Sequence, residues 1–149
     1  MQNDKIYSDI VTVLVRSKLE ANILLSEIDE LEKALFKIGE GDWDAVLEKA
    51  VRAKTALAIR QAIGETDRKT FLTKLRDQVN SLTYIGLTLA FEPTSEIVSR
   101  LSTWIKQNVG EAVALDIAID KRILGGAIID YKGKRGNFTL LTKVNAYFV

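Results

Sequence analysis

The chain has 149 residues, of which 47% are hydrophobic and 28% are charged, a balance typical of a folded globular protein. Its 21 basic and 20 acidic residues leave a net charge of +1, which disfavours nucleic-acid binding because that needs a strongly positive surface. The absence of Cys and His excludes thiol nucleophiles, disulfides and zinc sites built on these residues.

Membrane contact is expected only through a partner protein. No stretch approaches the roughly 20 apolar residues that a membrane-spanning helix needs. Residues 1–10 contain no apolar run of the length found in signal peptides.

Residues 1–80 are predicted to form a bundle of about four helices. Ile6, Ile10 and Leu14 are spaced four residues apart and form one apolar stripe. A second stripe continues over four turns until Gly39 and Gly41 end the helix. That stripe comprises Leu24, Ile28, Leu31, Leu35 and Ile38.

Two further helices complete the predicted bundle. Asp42 is the expected N-cap of the third helix and Gly64 its C-terminal end. One face of this helix holds Trp43, Val46, Leu47, Ala50 and Leu57. Thr66 or Asp67 caps the fourth helix. Its inward residues are expected to be Phe71, Leu72, Leu75 and Val79.

The hydrophobic period changes after residue 80. Residues 83–91 alternate between apolar and small or polar side chains, which predicts a strand that Pro93 ends. Thr94 or Ser95 then caps a helix that runs to Gly110. Its apolar residues are Ile97, Val98, Leu101, Trp104 and Ile105. A second strand alternates at Val113, Leu115, Ile117 and Ile119, and a third spans residues 127–131. Residues 138–149 are apolar but fit strand or helix equally well.

This order predicts an α+β fold, with a helical bundle over residues 1–80 and a small β-α-β-β domain over residues 81–149. No Pro-, Gly- or Ser-rich linker separates the two parts.

Three glycines are predicted to form structural turns. Gly125 and Gly126 lead straight into a strand and lack the spacing of a phosphate-binding loop, so we expect a positive φ at one of them. Gly133 lies in the basic cluster formed by residues 132–135, which we interpret as a solvated hairpin tip rather than a phosphate site.

The remaining polar and aromatic candidates favour structural roles. Asp116, Asp120 and Asp130 are interpreted as solvent-facing charges of a half-buried sheet rather than a pair of catalytic carboxylates. Trp43 and Trp104 occupy apolar helix positions, where core packing is the default and anchoring of a partner helix the alternative. Long apolar stripes also allow one groove of the bundle to hold an incoming helix. Periodicity assigns no residue to that groove, and no catalytic, cofactor-binding or metal-binding residue is identified.

Five pieces of the C-terminal part occur in an order that is typical of one family. They are LTLAFEPT (Leu87–Thr94), the helix through Trp104, LDIAID (Leu115–Asp120), ILGGAII (Ile123–Ile129) and YKGKRGNFTL (Tyr131–Leu140). Together they resemble the δ subunit of F-type ATP synthases, the bacterial counterpart of the oligomycin-sensitivity-conferring protein. Asn137 and Thr139 stand where that family more often has Asp and Ser. Residues 1–80 are shorter than the family's six-helix N-terminal domain.

The resemblance implies a non-catalytic peripheral-stalk subunit without cofactors, on the cytoplasmic face of the plasma membrane. Its helical domain would hold the N-terminal helices of the α subunits of the catalytic head. Its C-terminal domain would hold the C-termini of the b subunits, so that the head stays fixed while proton flow drives ATP synthesis. The E subunit of vacuolar-type ATPases, a helical adaptor unrelated to ATP synthase and a small carboxylate-based enzyme remain as alternatives.

Overall fold

The computed structural model describes residues 2–38 and 43–139 of the chain. Within these residues, six α-helices and a four-stranded mixed sheet follow one another with most helices first, which confirms the predicted α+β class. The chain divides into two compact units. The helical unit comprises Met1–Val15 and Leu19–Leu82, and the sheet unit comprises Arg16–Lys18 and Thr83–Val149.

The described part of the helical unit contains five helices. They are α1 (Gln2–Leu14), α2 (Lys18–Ile38), α3 (Trp43–Ala50), α4 (Ala53–Ile63) and α5 (Arg68–Asn80). Their apolar faces meet in one core, where Tyr7 of α1 contacts Phe71 of α5 with ring centroids 5.2 Å apart. The other fully buried side chains include Leu14, Leu24, Ile28, Leu31, Leu47, Ile59, Leu72 and Leu75. The inward face predicted for α5 is therefore confirmed.

The third predicted helix is two helices, α3 and α4. The chain is extended at Arg52, with φ −60° and ψ 149°, although neither Pro nor Gly lies there. The Arg52 guanidinium donates instead to the buried carboxylate of Glu27 on α2. Because this break resets the helical register, Leu57 is 57% exposed instead of sharing the buried face of Trp43. Ala50 is exposed as well.

Two of the helix ends predicted for the helical unit, at Gly64 and Asp67, lie among the described residues. The Asp67 side chain accepts a hydrogen bond of 3.0 Å from the Thr70 amide and so caps α5. Gly64 ends α4 with a φ of +50°. Gly39, Gly41, the expected cap Asp42 and the side chain of Ile38 lie outside the described residues.

The sheet unit has four strands and one helix among its described residues. They are β1 (Thr83–Leu89), α6 (Ser95–Asn108), β2 (Val113–Ile119), β3 (Gly126–Tyr131) and β4 (Lys134–Thr139). The strand order is β2-β1-β3-β4; β1 and β2 are parallel, while β1 with β3 and β3 with β4 are antiparallel. A short 3₁₀ turn, Lys121–Ile123, precedes β3. Residues 140–149 of the predicted apolar tail lie outside the described part.

One face of the sheet packs against α6. The core between them is formed by Ile85, Leu87, Val113 and Leu115 of the strands and Ile105 of the helix. β1 ends at Leu89 and not at Phe91, because the chain bends at the buried Ala90 and leaves Phe91 66% exposed. The Thr94 hydroxyl then accepts from the Ile97 amide at 3.3 Å and starts α6, as the sequence predicts.

A three-residue segment from the N-terminal part also belongs to the sheet unit. Arg16–Lys18, here called the strap, lies beside β2, where the Leu115 amide donates to the Arg16 carbonyl at 3.0 Å. The Arg16 guanidinium donates to the Ser99 hydroxyl of α6 at 2.6 Å. Lys18 Nζ lies 3.6 Å from the Asp116 carboxylate. The strap thus adds an extended segment to the open edge of β2.

Candidate functional site

A groove that is open to solvent lies between α1 and α4 in the helical unit and has a volume of about 360 Å³. Its walls are Ile6, Asp9, Ile10 and Val13 of α1 and Ala58, Gln61 and Ala62 of α4. On each helix these residues are three and four positions apart, so they form one continuous face of that helix. We call this surface the α1–α4 groove.

The sequence of α1 leaves apolar side chains outside the core. Its core-facing side includes Tyr7, Val11 and Leu14, which are almost fully buried. Ile6 and Val13 fall on another side of the helix and remain 38% and 73% exposed. The expected single stripe of Ile6, Ile10 and Leu14 is therefore divided, because Leu14 lies in the core, Ile6 is partly exposed in the groove, and Ile10 is buried at the groove wall. An apolar face that stays open to solvent is typical of a protein-binding surface.

Small side chains on α4 give the groove its shape. Ala58 and Ala62 are one helical turn apart and carry only a methyl group. Since the distance between packed helices depends on the side chains at their contact, alanines permit a close approach. Apolar residues at helical spacing and a wall of small residues fit an incoming amphipathic helix.

The charge in the groove is negative. Among the described residues that line the cavity, Asp9 has the single formal charge and none is basic. Asp4 lies on the same helix and is exposed. It adds to the effect of burial, the main cause, in raising the pKa of the Tyr7 hydroxyl. The groove therefore favours a helix that carries Lys or Arg beside its apolar face.

The predicted turn glycines belong to the sheet unit and are not part of the α1–α4 groove. Gly126 begins β3 with a φ of +77°, the positive angle expected at this pair. An added Cβ there would lie 2.2 Å from the Phe138 carbonyl oxygen of β4. Gly133 has a φ of +78° in the turn between β3 and β4, where an added Cβ would meet no described atom within 4 Å. Leu124, just before the pair, also has a positive φ of 67°, which the sequence did not indicate.

The three aspartates are held in separate local contacts. Asp116 and Asp130 both lie opposite Gly86, on its two neighbouring strands, so they are about 10 Å apart by strand spacing. Asp116 pairs with Lys18, and Asp130 with Arg135 at 2.8 Å. The Asp120 carboxylate binds Arg122 at 2.9 Å, and this hydrogen bond lowers the pKa of Asp120.

The basic residues at the hairpin tip are also held in separate local contacts. Arg135 binds Asp130 within the hairpin, and Lys132 lies over the ring of Tyr131, 5.3 Å from its centroid. The structure therefore brings neither the aspartates nor these basic residues together into one site.

The two tryptophans occupy different environments. Trp43 is 8% exposed, as expected of a core residue, and the Arg68 guanidinium lies 5.2 Å from its ring centroid. Trp104 is 59% exposed, so its predicted core position is wrong. The reason is that Leu101, Ser102 and Ile105 form the side of α6 that faces the sheet, and Trp104 projects from another side.

Comparisons with known proteins add no family assignment. No protein-family model matches this chain, and no curated protein matches it at a significant level. None of the helices in the described residues is both long enough and apolar enough to cross a membrane.

Proposed function

We propose that this chain is a peripheral-stalk subunit of a rotary F-type ATP synthase. In this role it performs no chemistry and needs no cofactor. It links the catalytic head to the membrane-anchored stator, so that proton flow drives ATP synthesis. The observation that carries the proposal is the α1–α4 groove, whose apolar and acidic lining fits an amphipathic helix.

The proposed partners are the N-terminal helices of the head α subunits at the groove and the C-termini of the b subunits at the sheet unit. The pieces that resemble the δ family fall on β1, α6, β2, β3 and β4, in the family's order. The longest helix in the described part, α2, has 21 residues, so the bundle is segmented. Segmented helices favour a δ-like over an E-like stalk subunit, which has a long charged coiled-coil helix. The proposed location is the cytoplasmic face of the plasma membrane, reached through these partners.

The first prediction concerns binding at the groove. A peptide of the N-terminal helix of the α subunit from the same genome should shift the amide signals of Ile6, Val13 and Ala58 in the full-length chain. Val13→Asp places a second carboxylate on the apolar wall and should weaken binding by about tenfold or more. Amide shifts and fluorescence anisotropy of the labelled peptide measure the two effects.

Leu19→Asp is the matched control, because Leu19 is 71% exposed on α2 and does not line the groove. It should leave the affinity unchanged. A peptide that fails to bind, or that shifts only residues 83–139, contradicts the proposal. A helical adaptor outside ATP synthase would bind another basic amphipathic helix at the same groove and would not prefer the α-subunit peptide.

A further inference from the structure

We propose that the outward side of α6 is a second docking surface, which binds an amphipathic helix that presents a carboxylate to Arg100. This surface lies in the sheet unit and shares no residue with the α1–α4 groove. The inference deepens the proposed function and rests on it for the partner, because that function assigns the C-termini of the b subunits to the sheet unit. A helix from any other protein found on α6 would keep the docking surface and contradict that assignment.

The surface is a straight row of four residues, here called the α6 stripe. It comprises Ile97, Arg100, Trp104 and Gln107. Their spacing of three, four and three positions is that of the seam along which two helices pack. Trp104 is 59% exposed and Ile97 is 42% exposed, whereas Ile105 on the sheet-facing side is 5% exposed. The sheet thus covers one apolar side of α6 and leaves this one open.

A shallow cavity runs beside Trp104. Its volume is about 320 Å³, and it is lined by Ser99, Arg100, Thr103, Trp104 and Gln107. These residues lie on one side of α6, so the cavity is a surface depression along that helix. A depression with an indole on its wall suits the side chains of a helix that lies along α6.

The small polar groups of this surface already have partners inside the chain. The Thr103 hydroxyl donates to the Ser99 carbonyl at 2.9 Å. The Ser99 hydroxyl accepts from Arg16, and the Trp104 carbonyl accepts from the Asn108 side chain at 2.8 Å. A docked helix would therefore cover these groups without leaving them unpaired, which lowers the penalty of burying polar atoms.

The charge of the surface defines the partner. Arg100 is the single charged residue among the described residues that line the cavity, it is exposed, and it forms no ion pair with any residue in 2–38 or 43–139. Trp and Arg are also the residue types most enriched at binding hot spots. A carboxylate on the partner would pair with Arg100 while an apolar residue packs against Trp104. The α1–α4 groove, with Asp9, has the opposite preference.

A second copy of the chain is a poorer occupant than a different helix. The α6 stripe contains no Asp or Glu, so a symmetric pair of stripes would offer Arg100 no carboxylate. In such an isologous contact each stripe meets only its own residue types. We therefore infer that the helix that occupies the α6 stripe belongs to another protein.

The test starts from the full-length chain in cells of its source. Gln107, an exposed residue that lines the cavity, is replaced by the photo-crosslinker benzoylphenylalanine, and the exposed Thr73 of α5 is replaced in a control strain. Mass spectrometry should map a crosslink from position 107, absent from position 73, to a helical segment with apolar residues at heptad spacing and a neighbouring Asp or Glu. No crosslink, a crosslink to a second copy, or one to a non-helical segment overturns the proposal.

A synthetic peptide of the mapped segment then tests the charge. Binding is followed by the fluorescence of Trp104 in a Trp43→Phe chain, where it is the remaining tryptophan. Trp104→Ala, tested by anisotropy of the labelled peptide, should weaken binding by about tenfold or more. Arg100→Glu should weaken it similarly, and a peptide with Lys in place of its acidic residue should restore affinity for that variant. If Arg100→Glu leaves affinity unchanged, the proposed charge pairing is wrong.

Discussion

At the scale of single residues, Gly126 and Gly133 share a left-handed backbone but differ in their surroundings. Their φ angles are +77° and +78°, which most residues with a Cβ adopt at a cost of about 1–2 kcal/mol. At Gly126 an added Cβ would also overlap the Phe138 carbonyl oxygen, and a strand backbone yields far less readily than a side chain. At Gly133 the space is open.

The second prediction follows from this difference. Gly126→Ala should destabilise the chain by clearly more than about 2 kcal/mol, because it adds a steric clash to the left-handed strain. Gly133→Ala should lower the free energy of unfolding only by the left-handed strain, about 1–2 kcal/mol. Urea unfolding of the two full-length variants, with hydrogen exchange of the β3 and β4 amides, measures both. Equal losses of unfolding free energy in the two variants would mean that the contact with Phe138 does not restrict Gly126.

At the scale of elements, the N-terminus of α5 depends on one exposed carboxylate. The Asp67 side chain accepts from the amide and the hydroxyl of Thr70, each at 3.0 Å. The hydrogen bond from the Thr70 amide is the main reason that the pKa of Asp67 is lowered. A carboxyl whose folded pKa is depressed stabilises the fold above its unfolded pKa, and this contribution is lost as pH falls through the folded pKa.

The third prediction is a pH-dependent difference between two variants. Asp67→Ala removes the cap and should lower the melting temperature at pH 7 by a few degrees, with a smaller loss at an acidic pH below the depressed pKa of Asp67, where the wild-type carboxyl is protonated. Asp67→Asn keeps an acceptor but loses the charge, so its melting temperature at pH 7 should lie between those of the wild type and Asp67→Ala. Circular dichroism melts at the two pH values provide the measurement. The same loss for Asp67→Ala at both pH values would exclude a role for the charge.

The elements that follow a simple period could be predicted from the sequence. The alternation over residues 83–91 indicated β1, which ends two residues earlier at Leu89, and Phe71, Leu72 and Leu75 indicated the buried face of α5. The break between α3 and α4 could not be found in this way, because no helix breaker marks it. Arg52 reaches Glu27, 25 residues earlier, and such a distant pairing leaves no local pattern.

The candidate sites could not be predicted from the sequence either, because the periodicity of a helix does not show which of its apolar sides is buried. Ile97 and Trp104 fall within the same apolar periodicity as Val98, Leu101 and Ile105, so α6 reads as one broad stripe. Only the position of the sheet determines which side is buried. Likewise, the stripe on α1 indicated a bundle helix, but the groove appears only once α4 is placed beside Ile6 and Val13.

At the scale of the whole molecule, the chain enters the sheet unit twice. The strap, which ends at the first residue of α2, joins that unit after α1, and the rest of the unit follows from Thr83 onward. Three residues are too few to show a period, so no pattern in the sequence indicates this. The sheet unit consequently includes a segment that any division of the chain near residue 82 would remove.

The fourth prediction tests the strap in the intact chain. Arg16→Ala removes the hydrogen bond to Ser99 and should loosen the strap, so the Leu115 amide, which donates to the Arg16 carbonyl, should exchange faster with solvent. Arg122→Ala removes another arginine contact of the same unit, the exposed pair with Asp120, and should leave Leu115 unchanged. NMR measures the hydrogen-exchange rate of the Leu115 amide in the two variants. An unchanged Leu115 rate in Arg16→Ala would show that the side chain does not hold the strap.

The strap also affects the order in which parts of the protein can fold during synthesis on the ribosome. Arg16 and Ser99 are 83 residues apart, so the strap leaves the ribosome long before the helix that holds it. The first helices can form from nearby contacts, whereas this contact requires closure of a very long loop, and such contacts slow folding. Since synthesis proceeds from the N-terminus, we expect the strap to be captured late, after β2 and α6 have been made. Until then the edge of β2 is unprotected, and the nascent chain passes through a stage in which that edge is open to pairing with other chains.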